Sequence, residues 1–378
     1  MKSATFSRQP ICSLVVTLIL ISIAQLGCDA KKPVRIGFIG GTSGRVADLG
    51  ISGLDAVQLV VEQCNKQGGI DGRQVQLLIK DDQQIPDTAR QAVQDLIRED
   101  AVAIVGPMTS DMAMAVAPLV NEARVLNVSP TVTTQRLSGR DDYFFRVSST
   151  TLEYATRSAH YQIKSGDMRR IAAAYDKGNR SFTENWLENF KAPFIAGGGE
   201  ILATIAFKTD EGKSFSEIAR ELLVPDPDGV LIIANSMDSA LLCQQIRKTN
   251  HSIKITLADW GATERLLELG GKAVEGVTVV QTFDRESPKP QYQSFRTTFL
   301  ERYHREPGFP GVYAYDATQV VLTALRAQKR GQSLKETVLS IRQFDGLQGK
   351  FSFDDYGDVK RSNASISIVQ NQKFVVVE

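Results

Sequence analysis

Short apolar runs alternate with longer amphipathic stretches along this chain, and this alternation restricts the fold more than any other feature. Val34–Gly40 reads VRIGFIG and residues 101–106 read AVAIVG. Such nearly continuous apolar runs are typical of strands buried on both faces. Residues 48–67 carry apolar side chains at helical spacing and end at Gly68-Gly69. Strands buried on both faces and separated by helices form parallel sheets, so the sequence predicts an α/β fold.

The pattern of strand and helix starts twice. In the first half it predicts strands at 34–40, 74–80, 101–106 and 125–128, with helices at 48–67, 86–100 and 110–123. From residue 170 it predicts strands at 170–175, 201–207, 229–234, 254–258 and 276–280, with helices at 183–192, 214–223 and 236–249. Helices at 291–304 and 312–328 follow, and residues 350–353, 365–369 and 373–377 alternate as β-strands. We therefore expect two doubly wound, Rossmann-like lobes that face one another.

Length and charge restrict the number of domains and the class of partner. About 350 residues remain after the N-terminal segment, which is more than one hydrophobic core usually organises. The chain carries 44 basic and 43 acidic residues. It therefore lacks the excess of positive charge that a nucleic-acid surface requires. We predict two domains and no nucleic-acid partner.

The N-terminal segment has the pattern of a secretory signal. Two basic residues precede an uncharged apolar run at 11–24, and Cys28 follows at once after Leu26 and Gly27. A run of about 14 residues is too short to span a bilayer and suits the core of a signal peptide. We predict a lipoprotein-type signal peptide over residues 1–28, with Cys28 as the lipidated residue. Lipoprotein signals usually have an aliphatic residue three positions before the cysteine, and this sequence has Gln25 there. An ordinary cleavable signal therefore stays open as the alternative.

Motifs that would indicate an enzyme are incomplete. Gly37, Gly40 and Gly44 lack the spacing of a dinucleotide-binding fingerprint. Gly212-Lys213-Ser214 imitates the end of a phosphate-binding loop, but Phe207 stands where that loop needs its first glycine. The three histidines lie far apart, without a second ligand at a metal spacing. We predict no enzyme, no cofactor and no metal.

The two cysteines of the predicted body lie in apolar helical patterns. Cys64 belongs to the first predicted helix and Cys243 to the helix at 236–249. Buried free thiols are commoner than a disulfide in such a context. We expect both cysteines to be buried and unpaired.

Hydroxyl side chains follow two neighbouring strands of the first lobe. Met108-Thr109-Ser110 comes after AVAIVGP at the start of a helix, and Thr131-Val132-Thr133 comes after VLNVSP. Ligands collect at the carboxyl ends of parallel strands, where helix N-termini offer unpaired amide groups. Such amide groups and hydroxyls bind a carboxylate without a lysine or arginine. The sequence predicts a carboxylate site here, and the alternative is that Ser110 caps its helix and the threonines line a loop.

The order of these segments is similar to that of a known family. The segments are VRIGFIGGTSG, NKQGGIDGRQVQLLIKDD, AVAIVGPMTS, VLNVSPTVT and YAYDA. The chain resembles type I periplasmic solute-binding proteins of the leucine/isoleucine/valine-binding family, which feed ABC importers. The resemblance implies two lobes joined by a three-segment hinge. The first lobe would comprise residues 33–150 and 283–345, and the second residues 151–282 and 346–378.

The resemblance also implies which first-lobe residues bind the ligand. In that family a serine after the third strand, with a backbone group and a threonine after the fourth, holds the carboxylate of an amino acid. These positions correspond to Ser110, Thr131 and Thr133. A residue of the first loop covers the ligand, and it corresponds to Leu49. The cysteines of the family's disulfide correspond to Gln84 and Thr109.

The second lobe departs from the family pattern. The acid that accepts the ligand ammonium aligns with Trp260, and Asp259 lies one residue earlier. One family aromatic falls on Phe182 after a two-residue shift from Arg180, and a second corresponds to Asn235. A buried ammonium without an anionic partner costs several kcal/mol, so an amino-acid ligand needs Asp259 within reach. The alternatives are an acid stacked on Trp260, or a structural role for both residues.

The resemblance implies an extracytoplasmic receptor that closes on a small ligand and delivers it to an ABC permease in the inner membrane. An amino acid is the favoured ligand, with an aromatic or aliphatic acid or an amide as the alternative. The protein is expected in the periplasm or at the cell surface, anchored by lipid to the membrane. A sensory receptor with the same clamp and an exported enzyme remain open as other classes.

Overall fold

The computed structural model describes residues 1, 32–362 and 364–378. The predicted signal peptide and the predicted lipid site at Cys28 lie outside the described residues. Within the described ranges, no helix has both the length and the apolar content needed to cross a bilayer. The body of the chain consists of two large sheets, one small sheet and the helices that cover them.

The first lobe is built on a five-stranded parallel sheet in the order β2-β1-β3-β4-β5. Its strands are β1 (Val34–Gly40), β2 (Val75–Asp81), β3 (Ala103–Val105), β4 (Leu126–Ser129) and β5 (Phe144–Arg146). Its connecting helices are α1 (Ala47–Lys66), α2 (Pro86–Arg98) and α3 (Ser110–Ala123). Every strand pair is parallel, which places the strand ends after β3 and β4 side by side at one edge.

The second lobe is built on a seven-stranded sheet in the order β15-β14-β10-β9-β8-β6-β7. Its strands are β6 (Arg170–Asp176), β7 (Glu200–Phe207), β8 (Gly229–Ile233), β9 (Lys254–Leu257), β10 (Thr278–Gln281), β14 (Ser365–Gln370) and β15 (Lys373–Val376). Its helices are α4 (Thr151–Ser165), α5 (Arg180–Ala196), α6 (Phe215–Leu223), α7 (Ser236–Thr249) and α8 (Glu264–Gly270). Strands β6 to β10 pair in parallel, whereas β14 and β15 are antiparallel additions.

A third group of elements joins the two lobes. It contains α9 (Pro290–Tyr303), α10 (Gly308–Ala327), α11 (Leu334–Ser340) and a sheet of β11 (Phe344–Gly346), β12 (Gly349–Phe353) and β13 (Val359–Lys360). Helix α10 packs against α1, and the small sheet contacts β5 through a bridge between Arg146 and Asp358. The lobe boundaries given above remain a proposal. These contacts favour placing the third segment of the hinge between the end of β13 and the start of β14.

The strong periodic segments match the sequence predictions. Helices α3 and α7 have the predicted bounds, and the large sheets confirm the α/β architecture. Helix α4 was not predicted, because its buried face includes the polar residues Thr151, Ser158 and Gln162. A polar residue on the buried face removes the apolar periodicity that identifies a helix.

The apolar core of each lobe lies between its sheet and its helices. One cluster joins the first sheet to α1 and α10 and continues to the face of the second sheet that α4 and α5 cover. Another lies between the second sheet and α6 and α7. Cys64 and Cys243 are buried in these clusters as free thiols, as predicted.

Candidate ligand-binding cleft

The two lobes contact each other directly across a cleft at the carboxyl ends of their strands. Asp111, in the first turn of α3, accepts hydrogen bonds from the amides of Arg180 and Ser181 in the first turn of α5, at 3.0 and 2.8 Å. The Asp111 amide donates in return to Asn179 Oδ1 at 3.0 Å. Two helix N-termini from different lobes therefore face each other, and one carboxylate joins them.

A second set of bonds joins the two lobes through Asp48 and Arg45. Asp48 Oδ2, in the first turn of α1, accepts from the hydroxyls of Ser236 and Thr263, each at 2.7 Å. Arg45 forms an ion pair with Asp238 of α7. Because these bonds join residues of different lobes, the conformation described here is closed.

The first-lobe side of the cleft carries the predicted hydroxyl groups. Thr109 is the N-cap residue of α3 and makes no side-chain cap bond, so Ser110 is the first helical residue rather than the cap. Ser110 is 2% exposed. The Thr133 hydroxyl oxygen is buried and has no hydrogen-bond partner among the described residues. Thr131 donates its hydroxyl to the Met108 carbonyl at 2.5 Å, which leaves its oxygen lone pairs available.

Residues close to Thr133 in sequence contact the second lobe. The Gln135 amide donates to Asn185 Oδ1 of α5 at 2.9 Å, and the Thr151 amide donates to the Thr133 carbonyl at 2.8 Å. Buried polar atoms are nearly always satisfied, so the unpaired Thr133 hydroxyl needs an explanation. Thr133 follows Thr131, which bonds to the loop before α3, and precedes Gln135, which bonds to the second lobe.

Aromatic side chains and one buried acid form the second-lobe side. Phe182 of α5 packs edge to face on Trp260, with ring centroids 5.6 Å apart. Asp259 is 5% exposed, and its Oδ1 accepts from the Trp186 indole N–H at 2.9 Å. Burial raises the pKa of Asp259 to about 7, although the bond from Trp186 acts in the opposite direction.

Two predicted site residues have structural roles that the sequence did not indicate. Leu49 lies in the first turn of α1, not in a loop, and belongs to the same apolar core cluster as Phe182 and Trp260. Asn235 is the N-cap of α7: its Oδ1 accepts from the Asp238 amide, and its Nδ2 donates to the Asp238 carboxylate, both at 2.9 Å. Since both ends of the Asn235 carboxamide are already used, we leave this residue out of the proposed ligand set.

The positions that correspond to the family's disulfide are also in contact here. Thr109 Oγ1 donates to Gln84 Oε1 at 2.9 Å. Gln84 Nε2 donates to Asp82, whose pKa is raised to about 6 chiefly by burial. A hydrogen-bonded chain of side chains therefore connects the two loops at the base of α3.

The closing contacts were missed by sequence reasoning. Asp48 and Asp111 each look like ordinary acidic residues in a helix first turn, a position that favours negative charge without any partner. The partners of Asp48 lie at least 188 residues away along the sequence, and those of Asp111 lie about 70 residues away. No local pattern predicts such pairs, although a first-turn aspartate next to a predicted cleft is a usable signal.

The fold and the cleft together define a two-lobed solute-binding protein. The model of the periplasmic binding protein family matches residues 33–372, and the chain belongs to this family. In the described part of the chain, no group of three potential metal ligands lies close enough to hold a metal ion.

Individual relatives are similar over nearly their whole length. A Leu/Ile/Val-binding protein of Rhizobium johnstonii is 24% identical over 368 residues, covering 96% of this chain and 98% of the relative. A branched-chain amino acid transporter substrate-binding protein of Streptococcus pneumoniae, in complex with isoleucine, has a TM-score of 0.83 at 22% identity, covering 91% and 99% of the two chains. A solute-binding protein of an ABC transporter from R. palustris, in complex with benzoate, has a TM-score of 0.81 at 20% identity, covering 91% and 95%.

Proposed function

We propose that this chain is the extracytoplasmic receptor of an ABC importer and that it binds a small carboxylate-bearing solute between its lobes. The observation that carries the proposal is the Thr133 hydroxyl, which is buried without a partner among the described residues. A ligand carboxylate would accept from this hydroxyl, from Ser110 and from the amides at the start of α3. The interlobe bonds of Asp48 and Asp111 would then hold the closed form.

The cellular context is part of the same proposal. We place the receptor in the periplasm or at the cell surface, anchored by lipid at Cys28, with an ABC permease of the inner membrane as its partner. Family membership supports the location in the periplasm or at the cell surface, and the signal-like N-terminal sequence supports the lipid anchor at Cys28. Apart from the carboxylates of Asp48 and Asp111, which bond across the two lobes, the cleft groups described above are hydrogen-bond donors, aromatic rings and the buried acid Asp259. This set suits binding, so we propose a receptor rather than an enzyme.

An amino acid is the favoured ligand. Asp259 is the acid able to pair with a ligand ammonium from the second lobe, and a buried ammonium requires such a partner. The Rhizobium johnstonii relative is named for leucine, isoleucine and valine. The isoleucine complex of the Streptococcus pneumoniae protein has the same fold.

One observation favours an aromatic acid instead. Asp259 already accepts the Trp186 indole N–H, and its raised pKa keeps it protonated below about pH 7 when the cleft holds no cation. The perpendicular pair of Phe182 and Trp260 offers an apolar surface to a flat ring. The R. palustris relative of the same fold is in complex with benzoate.

A thermal-shift screen tests the proposed function. Leucine, isoleucine, valine and benzoate are compared, since a ligand at a hundredfold excess over its Kd stabilises the folded form by about 2.7 kcal/mol. We expect at least one of these carboxylates to raise the Tm and its uncharged amide or ester to have a smaller effect. Equal effects of acid and ester, or no effect of any of the four, would exclude the carboxylate site.

Calorimetry in buffers of different ionisation enthalpy then separates the two ligand classes. Below about pH 7 Asp259 is protonated in the free protein. A ligand ammonium stabilises the carboxylate and expels that proton, whereas an aromatic acid does not. Proton release near pH 6 that disappears in Asp259→Asn supports the amino acid, and its absence in the wild type supports the aromatic acid.

A further inference from the structure

The N-terminus of α3 lacks the side-chain cap that its own sequence could supply. Thr109 occupies the N-cap position with extended backbone angles, φ −125° and ψ 153°, which are typical of a capping residue. A threonine in this position ordinarily accepts from the amide of the second or third helical residue, here Asp111 or Met112. The Thr109 side chain makes no such bond. Helix α3 therefore begins without a cap, although a suitable residue is in place.

A neighbouring side chain accounts for the missing cap. Thr109 Oγ1 donates to Gln84 Oε1 at 2.9 Å, and Gln84 Nε2 donates to Asp82 Oδ1 at 2.9 Å. A carboxylate oxygen can only accept, so Asp82 binds the Nε2 end of the carboxamide and leaves the Oε1 end for Thr109. A hydroxyl can donate and accept together, but in this orientation Thr109 Oγ1 makes no bond to the α3 amides. The Gln84 carboxamide thus holds the hydroxyl away from the helix.

The turn that carries Gln84 is shaped to place this carboxamide. The Ile85 amide donates to the Asp82 carbonyl at 2.9 Å, and the two residues between them have positive φ angles, 52° for Gln83 and 57° for Gln84. Such angles are uncommon for residues other than glycine. A Cβ atom on Gly41 would lie 2.5 Å from Gln84 Nε2. The absence of a side chain at Gly41 therefore provides the space that the Gln84 side chain occupies.

The missing cap leaves two helix amides without partners. Among the described residues, none accepts a hydrogen bond from the amide of Ser110 or Met112, whereas the Asp111 amide donates to Asn179 Oδ1 at 3.0 Å. Unpaired amides at a helix N-terminus carry positive partial charge and bind anions. The amides of Ser110 and Met112 are therefore the donors that α3 can offer to a carboxylate in the closed form.

Thr133 points independently to a ligand near the start of α3. Thr133 is 3% exposed, and its hydroxyl oxygen has no partner in the described part of the chain. Thr131 donates to the Met108 carbonyl at 2.5 Å, so the loop that carries Thr133 is bonded to the residues leading into α3. The unpaired hydroxyl and the unpaired amides thus belong to two segments that are bonded to each other.

We propose that Gln84 is a positioning residue of the cleft, which holds the Thr109 hydroxyl so that the amides of Ser110 and Met112 stay free for the ligand carboxylate. This inference rests on the proposed function of the cleft. The ligand carboxylate supplies the cap that Thr109 does not give to α3. Without the Gln84 carboxamide, the Thr109 hydroxyl accepts from the Met112 amide and competes with the ligand.

A double-mutant cycle tests whether Gln84 acts through Thr109. Leucine, isoleucine, valine and benzoate are titrated calorimetrically into the full chain and its variants. Gln84→Met keeps the length of the side chain and removes the carboxamide, and we expect it to raise the Kd of the bound carboxylate about tenfold, the equivalent of a typical N-cap bond. In Thr109→Val, which has no competing hydroxyl, adding Gln84→Met should not change the Kd. Gln83→Met is the matched control and should bind like the wild type, because Gln83 is exposed in the same turn and also has a positive φ.

Amide hydrogen exchange tests the same mechanism without a ligand. In the free protein we expect the Met112 amide to exchange more slowly in Gln84→Met than in the wild type, because the released Thr109 hydroxyl then accepts from it. The exchange rate should return to the wild-type value in the double variant Gln84→Met/Thr109→Val. A side chain that only supported the turn would not produce this return.

These measurements separate failure of the inference from failure of the proposed function. If none of the four carboxylates binds the wild type, the cleft is not the proposed carboxylate site and both fail. If a carboxylate binds the wild type and Gln84→Met equally well, only the role of Gln84 fails. The same holds if Gln84→Met weakens binding as strongly in the Thr109→Val background. An unchanged exchange rate of the Met112 amide in Gln84→Met overturns the inference whatever the titrations show.

Discussion

Thr133 is the residue on which the proposed carboxylate site depends most directly. Its hydroxyl is buried and unpaired within the described chain, so its removal breaks no hydrogen bond of the protein. We expect Thr133→Ala to weaken binding of the cleft ligand by about 1 to 3 kcal/mol, the range for losing the partner of a buried or charged group. We expect it to leave the Tm of the free protein unchanged or slightly higher.

Calorimetric titration and thermal unfolding of the two proteins check this prediction. Thr297→Ala is the matched control, because Thr297 is exposed on α9, away from the cleft. A free-protein Tm that falls in Thr133→Ala while the affinity stays constant would show that the hydroxyl supports the fold instead.

Asp259 gives the free protein a distinct dependence of stability on pH. Burial raises the pKa of its carboxyl from 3.8 to about 7, so between these values the folded state holds a proton that the unfolded state has lost. The free energy of unfolding therefore falls as pH rises from about 4 to 7 and levels off above, by an amount on the order of 4 kcal/mol.

Denaturant unfolding at a series of pH values measures this effect. Asp82 and Asp176 also have pKa values raised to about 6 by burial, so the difference between the wild type and Asp259→Asn isolates the contribution of Asp259. We expect that difference to grow with pH across this window. A difference that does not vary with pH would mean that Asp259 is not protonated in the folded state.

At the scale of single elements, Asp111 joins α3 of one lobe to α5 of the other. Its carboxylate accepts from two first-turn amides of α5, which have no partner within their own helix. Asp111→Asn should weaken ligand binding by about 0.5 to 2 kcal/mol, as loss of an N-cap does, because this contact exists only when the lobes are closed. Asp87→Asn is the control, since Asp87 occupies the same first-turn position in α2. Equal effects of the two variants on the Kd would contradict a role in closure.

The elements also show what a sequence can and cannot reveal. Helix α3 was predicted to the residue because its buried face is apolar apart from Ser110. Helix α7 was predicted to the residue because Asn235 caps its start and Leu242, Cys243 and Ile246 are buried at helical spacing. Helix α4 was missed because Thr151, Ser158 and Gln162 occupy its buried face. The hydroxyl groups after β3 and β4 could be predicted, since they follow recognisable strands. The partners of Asp48 and Asp111 could not, since contacts between lobes depend on how the complete sheets are placed.

For the whole molecule, Asp48 is predicted to control the balance between open and closed forms. Its carboxylate is the only acceptor that we assign to both Ser236 and Thr263, and these three residues come from different elements of the two lobes. Asp48→Ala leaves two second-lobe hydroxyls without their partner in the closed form, but in the open form water satisfies them. A loss of about 1.4 kcal/mol from the closed form reduces its population relative to the open form about tenfold.

Small-angle scattering and ligand titration measure that balance together. We expect Asp48→Ala to have a larger radius of gyration without ligand and to recover the wild-type value at saturating ligand. We expect its affinity to fall by the factor by which the closed fraction of the free protein falls. Asp87→Ala, in the first turn of α2, should change neither quantity. If Asp48→Ala binds more weakly but scatters like the wild type without ligand, Asp48 would act on the ligand rather than on closure. Asp48→Ala could instead show a larger radius of gyration with unchanged affinity. That result would mean that the ligand does not select the closed form, because a ligand shifts this equilibrium only through its differential affinity for the two conformations.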